Sequence, residues 1–199
     1  MATIDRFLER NRTWSERARA EDPELFERLA RGQAPRALWI GCSDSRVPAS
    51  TILDLGPGEL FVYRNVANVA AADDPAFEAV LQYAVEALRV PHVIVCGHTG
   101  CGGVGAALEG TELDRVSEWI RPVRAVAERH AAELDAIAEP GRRADRLAEL
   151  HVAAQVRNLA ADPIVRRTWE RGRELSLHGC LYRLAEGLVR DLGLSVAGP

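Results

Sequence analysis

Three side chains of this 199-residue sequence form a candidate metal-binding set: Cys42, His98 and Cys101. His98 and Cys101 are separated by two residues in a glycine-rich segment, and Cys42 lies 56 residues upstream of His98. Two thiolates and one imidazole suit zinc, and three protein ligands leave a fourth position open, as in a catalytic site. A single H-x-x-C pair is weak evidence by itself, so the prediction depends on whether the fold brings Cys42 close to the pair.

Cys42 and His98 each follow a short apolar run that is typical of a buried strand. ALWIG (residues 37–41) precedes Cys42, and PHVIVCG (residues 91–97) precedes His98. Ligands of open parallel sheets bind beyond the carboxyl ends of the strands, so we expect both polar loops to lie at that edge. If the two strands are neighbours, the three candidate ligands converge there.

Strand and helix patterns alternate along the chain, which indicates an α/β fold. Further strands are predicted over residues 58–67 and 173–179, with strand or hairpin character over residues 181–194. Helices are predicted over residues 77–88, from about Gly102, and over most of residues 112–172, with breaks at residues 139–143 and at Pro163. We therefore predict a mostly parallel β-sheet of four to five strands flanked by helices.

The composition is that of a globular protein, with 47% hydrophobic and 27% charged residues. The net charge of −4 argues against a general nucleic-acid binder. No apolar run approaches the ~18 residues that span a bilayer, and the charged start MATIDRFLERNRTW lacks an apolar signal core. We predict a cytoplasmic protein without nucleic-acid or membrane partners, with a single domain over residues 1–199 in which residues 1–32 form an N-terminal helical arm.

The remaining cysteines are expected to belong to the core, because Cys96 lies in an apolar run and Cys180 lies near another strand. Cys42 and Cys101 have an alternative as a redox pair, which requires a reactive thiol and no bound metal. The segment HTGCGGVG also has a dinucleotide-binding interpretation, but it does not match the G-x-G-x-x-G fingerprint of a first strand–helix unit.

The other histidines have no spacing typical of metal ligands; they are His92, His130, His151 and His178. His92 lies where a strand begins. His130 and His151 are predicted to be solvated on helices.

Two segments together resemble the signature motifs of the β-class carbonic anhydrases: CSDSRVPA (residues 42–49) and GHTGCGG (residues 97–103). The resemblance extends through ELFVYRNVAN (59–68), LQYAV (81–85) and RGRELSLHG (171–179). It implies zinc-dependent, reversible hydration of carbon dioxide to bicarbonate and a proton by zinc-bound hydroxide, with one Zn²⁺ per subunit. It also implies Cys42, His98 and Cys101 as the zinc ligands.

The same resemblance makes Asp44 and Arg46 a catalytic pair. Asp44 is expected to accept a hydrogen bond from the hydroxide, and Arg46 to hold Asp44 ionised and off the metal. Outside the motif, the two residues would be interpreted as a turn cap or a surface salt bridge.

One subtype of the family has a closed state in which the aspartate fills the open zinc position. A bicarbonate ion held by Trp, Arg and Tyr favours that state, and Trp39, Arg64 and Tyr182 stand at the matching positions. The resemblance therefore predicts an enzyme that is switched by pH and inhibited by bicarbonate through Asp44. Taken alone, Trp39 and Tyr182 would be interpreted as core residues.

Substrate-cleft positions of relatives, some of them supplied by a partner subunit, are matched by Gln33, Phe61, Val66 and Tyr83. The Gly102 amide matches a donor near the substrate oxygen, and the resemblance implies a homodimer or tetramer. From composition alone, Phe61, Val66 and Tyr83 would be core residues. Two alternatives stay open: hydrolysis of carbonyl sulfide or carbon disulfide at the same zinc site, and a non-catalytic, bicarbonate-binding zinc protein.

Overall fold

The computed structural model describes residues 3–198, and backbone contacts divide the chain into two compact units at Ala34 and Pro35. The first unit contains two helices, α1 (Thr3–Glu21) and α2 (Leu25–Arg31). The predicted helical character of residues 1–32 is therefore confirmed over the described part, with residues 1 and 2 lying outside it. That the whole chain forms a single domain stays a prediction.

The second unit is built on a six-stranded sheet. Its strands are β1 (Ala37–Cys42), β2 (Leu60–Asn65), β3 (His92–His98), β4 (Ser176–Arg183), β5 (Leu188–Asp191) and β6 (Val196–Ala197). The order is β2-β1-β3-β4-β5, with the first four strands parallel, and β5 and β6 each pair antiparallel to β4. The predicted mostly parallel α/β fold is confirmed, and the two-residue β6 is additional to the four to five strands expected.

Helices of the second unit cover the sheet. They are α3 (Ala49–Ile52), α4 (Pro75–Gln82), α5 (Gly102–Glu109), α6 (Asp114–Trp119), α7 (Arg121–Arg129), α8 (Ala131–Asp135), α9 (Pro140–Ala161) and α10 (Pro163–Glu170). Among residues 3–198, no helix combines the length and the apolar character that crossing a bilayer requires. The cytoplasmic location stays a prediction.

The predicted helical break at residues 139–143 is confirmed with shifted bounds, because α8 ends at Asp135 and Pro140 opens α9. Proline suits the first helical position, where its missing N–H has no partner to lose. The Glu139 carboxylate caps the new helix by accepting hydrogen bonds from the N–H groups of Gly141 and Arg142, at 2.8 and 2.6 Å. The second predicted break is confirmed at Pro163, which opens α10.

Two other predicted boundaries also move. The strand predicted over residues 173–179 begins at Ser176, because the Arg173 N–H is used by the preceding helix, where it bonds to the Thr168 carbonyl oxygen at 3.2 Å. The helix predicted over residues 77–88 begins at Pro75 and widens after Gln82 into one π-helical turn over Tyr83–Ala87.

The long helix α9 lies between two parts of the core. Its residues Val152, Val156 and Leu159 pack in the cluster under β1 and β3, whereas Leu147 and Ala148 pack with Cys42, Ala67 and Cys101 in a second cluster. The predicted core position of Cys96 is confirmed, since that residue is fully buried, but Cys180 is only partly buried. Because α9 is covered on more than one side, it can direct polar side chains toward the loops at the sheet edge.

Candidate metal centre

The strand register brings the predicted ligands to one place. β1 and β3 are parallel neighbours, with Gly41 opposite Cys96, so Cys42 and His98 lie at adjacent strand ends. The Cys42 and Cys101 sulfurs are 3.9 Å apart, and one donor atom from each of Cys42, His98 and Cys101 lies within 4.8 Å of the others. All three residues are buried. The topology therefore joins two segments that are far apart in the sequence.

The His98 ring presents a free lone pair toward the two sulfurs. Its Nδ1 lies 3.0 Å from the Thr99 carbonyl oxygen, and because a carbonyl oxygen only accepts, Nδ1 carries the proton. Nε2 is buried and has no hydrogen-bond partner within residues 3–198; Asp44 Oδ2 is 3.8 Å away. Buried polar atoms are almost always paired, so an unpaired Nε2 beside two sulfurs fits a soft divalent cation such as zinc.

The Cys42 sulfur lies in surroundings that favour its ionised form. The hydrogen bond with Cys101 lowers the pKa of the Cys42 thiol to about 4, outweighing the opposite effect of burial, and the backbone N–H groups of Asp44 and Ala67 add to the shift. A thiolate is the form that binds metal. Cys42 is therefore prepared as a ligand by its own neighbours.

Cys101 retains the proton that the two sulfurs share. The hydrogen bond with Cys42, burial and the negative charge on Cys42 all raise the pKa of the Cys101 thiol, and the N–H groups of Val104 and Gly103 at the start of α5 oppose the shift. A Cβ on Gly103 would lie 2.8 Å from the Val66 Cγ1, so glycine permits α5 to start against that segment. A cation between the sulfurs would replace the shared proton, which is how metal binding releases protons from cysteine sites.

Asp44 and Arg46 form the ion pair that the motif predicts. The Arg46 Nε and Nη2 donate to Asp44 Oδ1 and Oδ2 at 2.9 and 2.6 Å, and the Arg46 backbone N–H donates to Oδ1 at 2.9 Å. These bonds hold the pKa of the Asp44 carboxyl well below its usual range, so the group is ionised at neutral pH. Arg46 also donates to the Gly100 carbonyl oxygen at 3.2 Å, which ties the pair to the turn between His98 and Cys101.

Other polar groups that sequence reasoning missed hold loops at this edge of the sheet. Asp145 on α9 accepts from the Gly100 N–H at 2.9 Å, and Gly100 adopts φ +62°, which favours glycine. The Asn65 side chain bonds to both the N–H and the carbonyl oxygen of Val69, at 2.8 and 2.7 Å. No local pattern distinguishes Asp145 from an ordinary surface acid, because its partner is 45 residues away.

His151 is not solvated as predicted, because it is fully buried on α9. Its Nε2 donates to the Ala67 carbonyl oxygen at 3.0 Å, and its Nδ1 accepts from Gln155 at 3.3 Å. Burial lowers the pKa of His151 to about 4. His151 and Gln155 are four residues apart on the helix, and most residues around them are apolar. This pattern was the sequence signal that could have indicated a buried polar pair.

The positions matching a bicarbonate pocket lie on three strands. Trp39 and Tyr182 are buried in one cluster with Val47, and Arg64 stands opposite Gly41 in the register. The Arg64 Nε and Nη2 donate to the carbonyl oxygens of Cys42 and Asp44 at 2.8 and 2.6 Å. The Trp39 Nε1 is buried and finds no acceptor in the described part of the chain.

The matching substrate-cleft positions do not all converge within one chain. Val66 and Gly102 lie beside the ligand loops, whereas Phe61 is opposite Leu38, four residues before Cys42, which is about 13 Å along the strand. Phe61 contacts the half-exposed Tyr83, with ring centroids 5.7 Å apart. Gln33 is exposed and belongs to the first unit, so its role stays a prediction.

Two of the remaining histidines are paired in space despite their distant positions in the chain. His92 Nδ1 lies 3.1 Å from His178 Nε2, and His178 Nδ1 lies 3.0 Å from Ser195 Oγ. The pair is near the amino-terminal end of β3, away from the ligand loops. Burial and the neighbouring His92 lower the pKa of His178.

A buried Cys₂His group beside an ionised carboxylate, at the carboxyl edge of a parallel sheet, defines an α/β metalloenzyme. The family model for carbonic anhydrase matches residues 37–189. A carbonic anhydrase of Emericella nidulans is 44% identical over 98% of this chain and 86% of its own length. This chain belongs to the β-class carbonic anhydrases, and its activity is that of a carbonic anhydrase, a lyase that acts on carbon dioxide.

Solved structures agree with this assignment. One of two tetrameric β-carbonic anhydrases from Sordaria macrospora superposes with a TM-score of 0.94 and 40% identity, covering 98% of this chain and all of the other. A Coccomyxa β-carbonic anhydrase in complex with acetazolamide gives a TM-score of 0.93 at 39% identity, covering 96% and 87% of the two chains. The fold thus belongs to one known architecture.

Proposed function

We propose that the enzyme hydrates carbon dioxide reversibly with one Zn²⁺ per subunit, held by Cys42, His98 and Cys101. The observation that carries this proposal is the buried trio of donor atoms within 4.8 Å, with His98 Nε2 left unpaired among the residues described. When bound, zinc supplies Lewis acidity that lowers the pKa of water from about 16 toward 7. Three protein ligands leave one position for the reacting molecule.

Asp44 is the residue that orients the nucleophile. Its carboxylate is ionised and only accepts hydrogen bonds, so an O–H group near the fourth position donates to it and is held with a lone pair toward carbon dioxide. Arg46 keeps both carboxylate oxygens engaged, which prevents Asp44 from binding the metal itself. Arg46 is thus a positioning residue, because it acts through Asp44.

The metal dependence and the substrate are tested together by stopped-flow hydration of carbon dioxide. The purified enzyme should contain one zinc per chain, lose hydration activity with chelation and regain it when zinc is restored. Turnover of carbonyl sulfide is measured in parallel. Full activity in a zinc-free preparation, or faster turnover of carbonyl sulfide than of carbon dioxide, would overturn the proposal.

We also propose that bicarbonate inhibits the enzyme at Trp39, Arg64 and Tyr182. The unpaired Trp39 N–H and the Arg64 guanidinium are donors that suit an oxyanion. Arg64 bonds to the backbone of Cys42 and Asp44, so an anion that attracts the guanidinium loosens this backbone. Asp44 would then be free to leave Arg46 and, with zinc bound, could serve as a further ligand, which would close the site.

Removal of the indole N–H tests this regulation. Trp39→Phe should raise the bicarbonate concentration that halves the activity by about five- to tenfold, the effect of one lost hydrogen bond. Trp169→Phe removes the same group from a bond to the Leu175 carbonyl oxygen and serves as the control. Equal inhibition of both variants and of the wild type would remove Trp39 from the proposed pocket.

We propose further that Phe61, Tyr83 and Gln33 reach the cleft of a second copy of the chain in a homodimer or tetramer. The support is the separation of Phe61 and Tyr83 from Val66 and Gly102 within one chain, together with the tetrameric relative from Sordaria macrospora. Light scattering should give the mass of two or four chains. A monomer with full activity would contradict this assembly.

A further inference from the structure

The turn that joins His98 to Cys101 has an exposed glycine in its middle. Gly100 adopts φ +62°, and no atom of residues 3–198 beyond its chain neighbours lies within 4 Å of the position that a Cβ would occupy. Side-chain packing therefore does not fix this residue, and the backbone freedom of glycine leaves other conformations open to it. Hydrogen bonds must hold the turn in the observed conformation.

The residue before Gly100 is held by strand β4 and the residue that follows that strand. The Thr99 N–H donates to the Tyr182 carbonyl oxygen at 3.0 Å, and Thr99 Oγ1 accepts from the Leu184 N–H at 3.0 Å. These bonds fix the beginning of the turn. Gly100 lies beyond the end of β3 and needs partners of its own.

Gly100 is hydrogen-bonded through both of its backbone groups, to different parts of the protein. Its N–H donates to Asp145 Oδ1 on α9 at 2.9 Å, and its carbonyl oxygen accepts from Arg46 Nη2 at 3.2 Å. The N–H belongs to the peptide before the Gly100 Cα, and the carbonyl belongs to the peptide after it. The bond to Asp145 therefore fixes the first peptide and limits the directions in which the Gly100 carbonyl can point.

Asp145 stands on a well-fixed part of α9. Leu147 is fully buried in the cluster that contains both candidate cysteine ligands. Arg146 is held by two carboxylates, with Nε donating to Glu133 at 2.7 Å and Nη1 donating to Glu149 at 2.6 Å. The helix thus gives Asp145 a fixed position from which its carboxylate bonds to the turn.

The bond from Arg46 to Gly100 connects the ion pair of Asp44 and Arg46 to the other ligand loop. The two residues are close in the chain, and the Arg46 side chain is 57% exposed. Their ion pair alone leaves the two side chains free to turn together. The bond to the Gly100 carbonyl oxygen joins them to the loop of His98 and Cys101, so it fixes where the Asp44 carboxylate points relative to that loop.

We infer that Asp145 is a positioning residue for the carbonic anhydrase reaction, which holds Gly100 so that the Gly100 carbonyl oxygen keeps Arg46 in place. The inference rests on the proposed role of Asp44 in orienting the nucleophile. Without the Asp145 carboxylate, the Gly100 turn takes other conformations for part of the time. The fraction of molecules in which Arg46 holds Asp44 in its productive orientation then falls, and hydration slows.

The test removes the acceptor at position 145 in one variant and keeps it in another. Asp145→Leu has no acceptor, whereas Asp145→Asn loses the charge but retains a carbonyl oxygen for the Gly100 N–H. For Asp145→Leu we expect full zinc content, faster deuterium exchange in the peptide that contains Gly100, and a fall in kcat/KM for carbon dioxide of about three- to tenfold, the effect of one hydrogen bond. Asp145→Asn should bring kcat/KM back to within about twofold of the wild type.

Glu149 provides the matched control. It lies one turn further along α9, lines the same cavity as Asp145, and accepts from Arg146. Glu149→Leu removes a carboxylate from the same helix but leaves the acceptor of the Gly100 N–H in place. It should match the wild type in kcat/KM and in the exchange of the Gly100 peptide. If Asp145→Leu does not fold, Asp145→Ala is measured in its place.

A combination of variants tests whether Asp145 acts through Arg46. In an Arg46→Ala background the link to Gly100 is already broken, so adding Asp145→Leu should lower kcat/KM by less than about twofold further. A general disturbance of the site would lower kcat/KM by the same factor in both backgrounds. If Arg46→Ala has no measurable activity, the rescue by Asp145→Asn decides.

The outcomes separate this inference from the proposed function. Unchanged kcat/KM in Asp145→Leu, no rescue by Asp145→Asn, or an equal loss in Glu149→Leu each overturns the role of Asp145 and leaves the metal site intact. The same factor of loss with and without Arg46 also overturns it. Failure of the wild type to bind zinc or to hydrate carbon dioxide overturns the proposed function itself.

Discussion

Two groups of polar side chains lie on the neighbouring strands β3 and β4, and they differ in what they leave unpaired. At the carboxyl end, His98 Nε2 is buried without a hydrogen-bond partner in residues 3–198. At the other end, both nitrogens of His178 are bonded, to His92 and to Ser195. A group that satisfies its own polar atoms needs no ligand, whereas a buried lone pair without a partner marks a binding site.

Exposure separates the two groups as well. The His98 side chain is inaccessible to solvent, while His178 is partly buried and His92 is exposed. Water can hydrogen-bond to His92 and His178 at small cost, but it cannot reach His98 without entering the protein. Proximity of titratable residues is therefore a weaker indication of chemistry than the burial of unpaired atoms among them.

The largest expected effect is that of replacing His98 by glutamine, and the same substitution at His178 is its control. His98→Gln should reduce zinc to a small fraction of one per chain and lower carbon dioxide hydration by about 10³-fold or more, because the Lewis acid is lost. His178→Gln should retain zinc and activity. Metal analysis and stopped-flow assays measure both, and full zinc in His98→Gln would break the comparison.

A smaller effect is expected from the carboxylates that accompany each histidine. Asp44→Asn should keep zinc but lower the rate constant by about 10²-fold, because the oriented acceptor for the nucleophile is lost. Asp191→Asn is the matched control, because it makes the same change from carboxylate to amide near His178. The Asp191 carboxylate accepts a hydrogen bond from the Gly193 N–H at 2.8 Å. Hydration rates of the two variants are compared, and similar losses would show that Asp44 has no special role.

Buried His151 should make the protein less stable below neutral pH. The pKa of His151 is about 4 in the folded protein, below its ordinary value of 6.5, so the unfolded chain binds the proton more readily between these values. Stability therefore falls as the pH falls through this window, by about 2 kcal/mol at pH 5. Urea unfolding at pH 7.5 and 5 should show this loss in the wild type but not in His151→Gln.

Metal release at low pH adds its own loss of stability to that measurement. The pH dependence is therefore also compared between His98→Gln and the double variant His98→Gln/His151→Gln, in which zinc makes no contribution. Persistence of the full pH dependence in His98→Gln/His151→Gln would assign it to other groups.

The smallest effect is expected at the hydrogen-bonded pair of His92 and His178. Ser195→Ala removes one partner of His178 at an exposed position and should lower the free energy of unfolding by about 0.5 kcal/mol. Hydration activity should be unchanged. A change in activity greater than twofold would mean that the two regions communicate, which the comparison does not predict.

The sheet and the grouping of the candidate ligands were predictable because their signals are local. Each parallel strand is an apolar run that ends in polar residues, and the sequence ALWIG followed by Cys42 shows both features. The motifs then identified which polar residues follow the strands. The sequence also predicted strand or hairpin character over residues 181–194, where β5 pairs antiparallel to β4.

The features that were missed depend on distant partners. His151 was expected in solvent because an amphipathic helix usually buries one side, but α9 packs against two clusters and buries this residue too. Asp145 bonds to Gly100 and Trp119 to Val66, each across more than forty residues. Helical periodicity carries no information on such contacts.

The adjacency of β1 and β3 has a consequence for how the enzyme matures. The turn from His98 to Cys101 offers only two donors, and the third arrives from Cys42 after the chain between them has formed β2 and α4. Zinc cannot nucleate this protein as it nucleates a zinc finger, whose ligands lie close together in the chain. A cation can therefore meet all three donors only after β1 and β3 have paired, although it does not require the later strands β4 to β6.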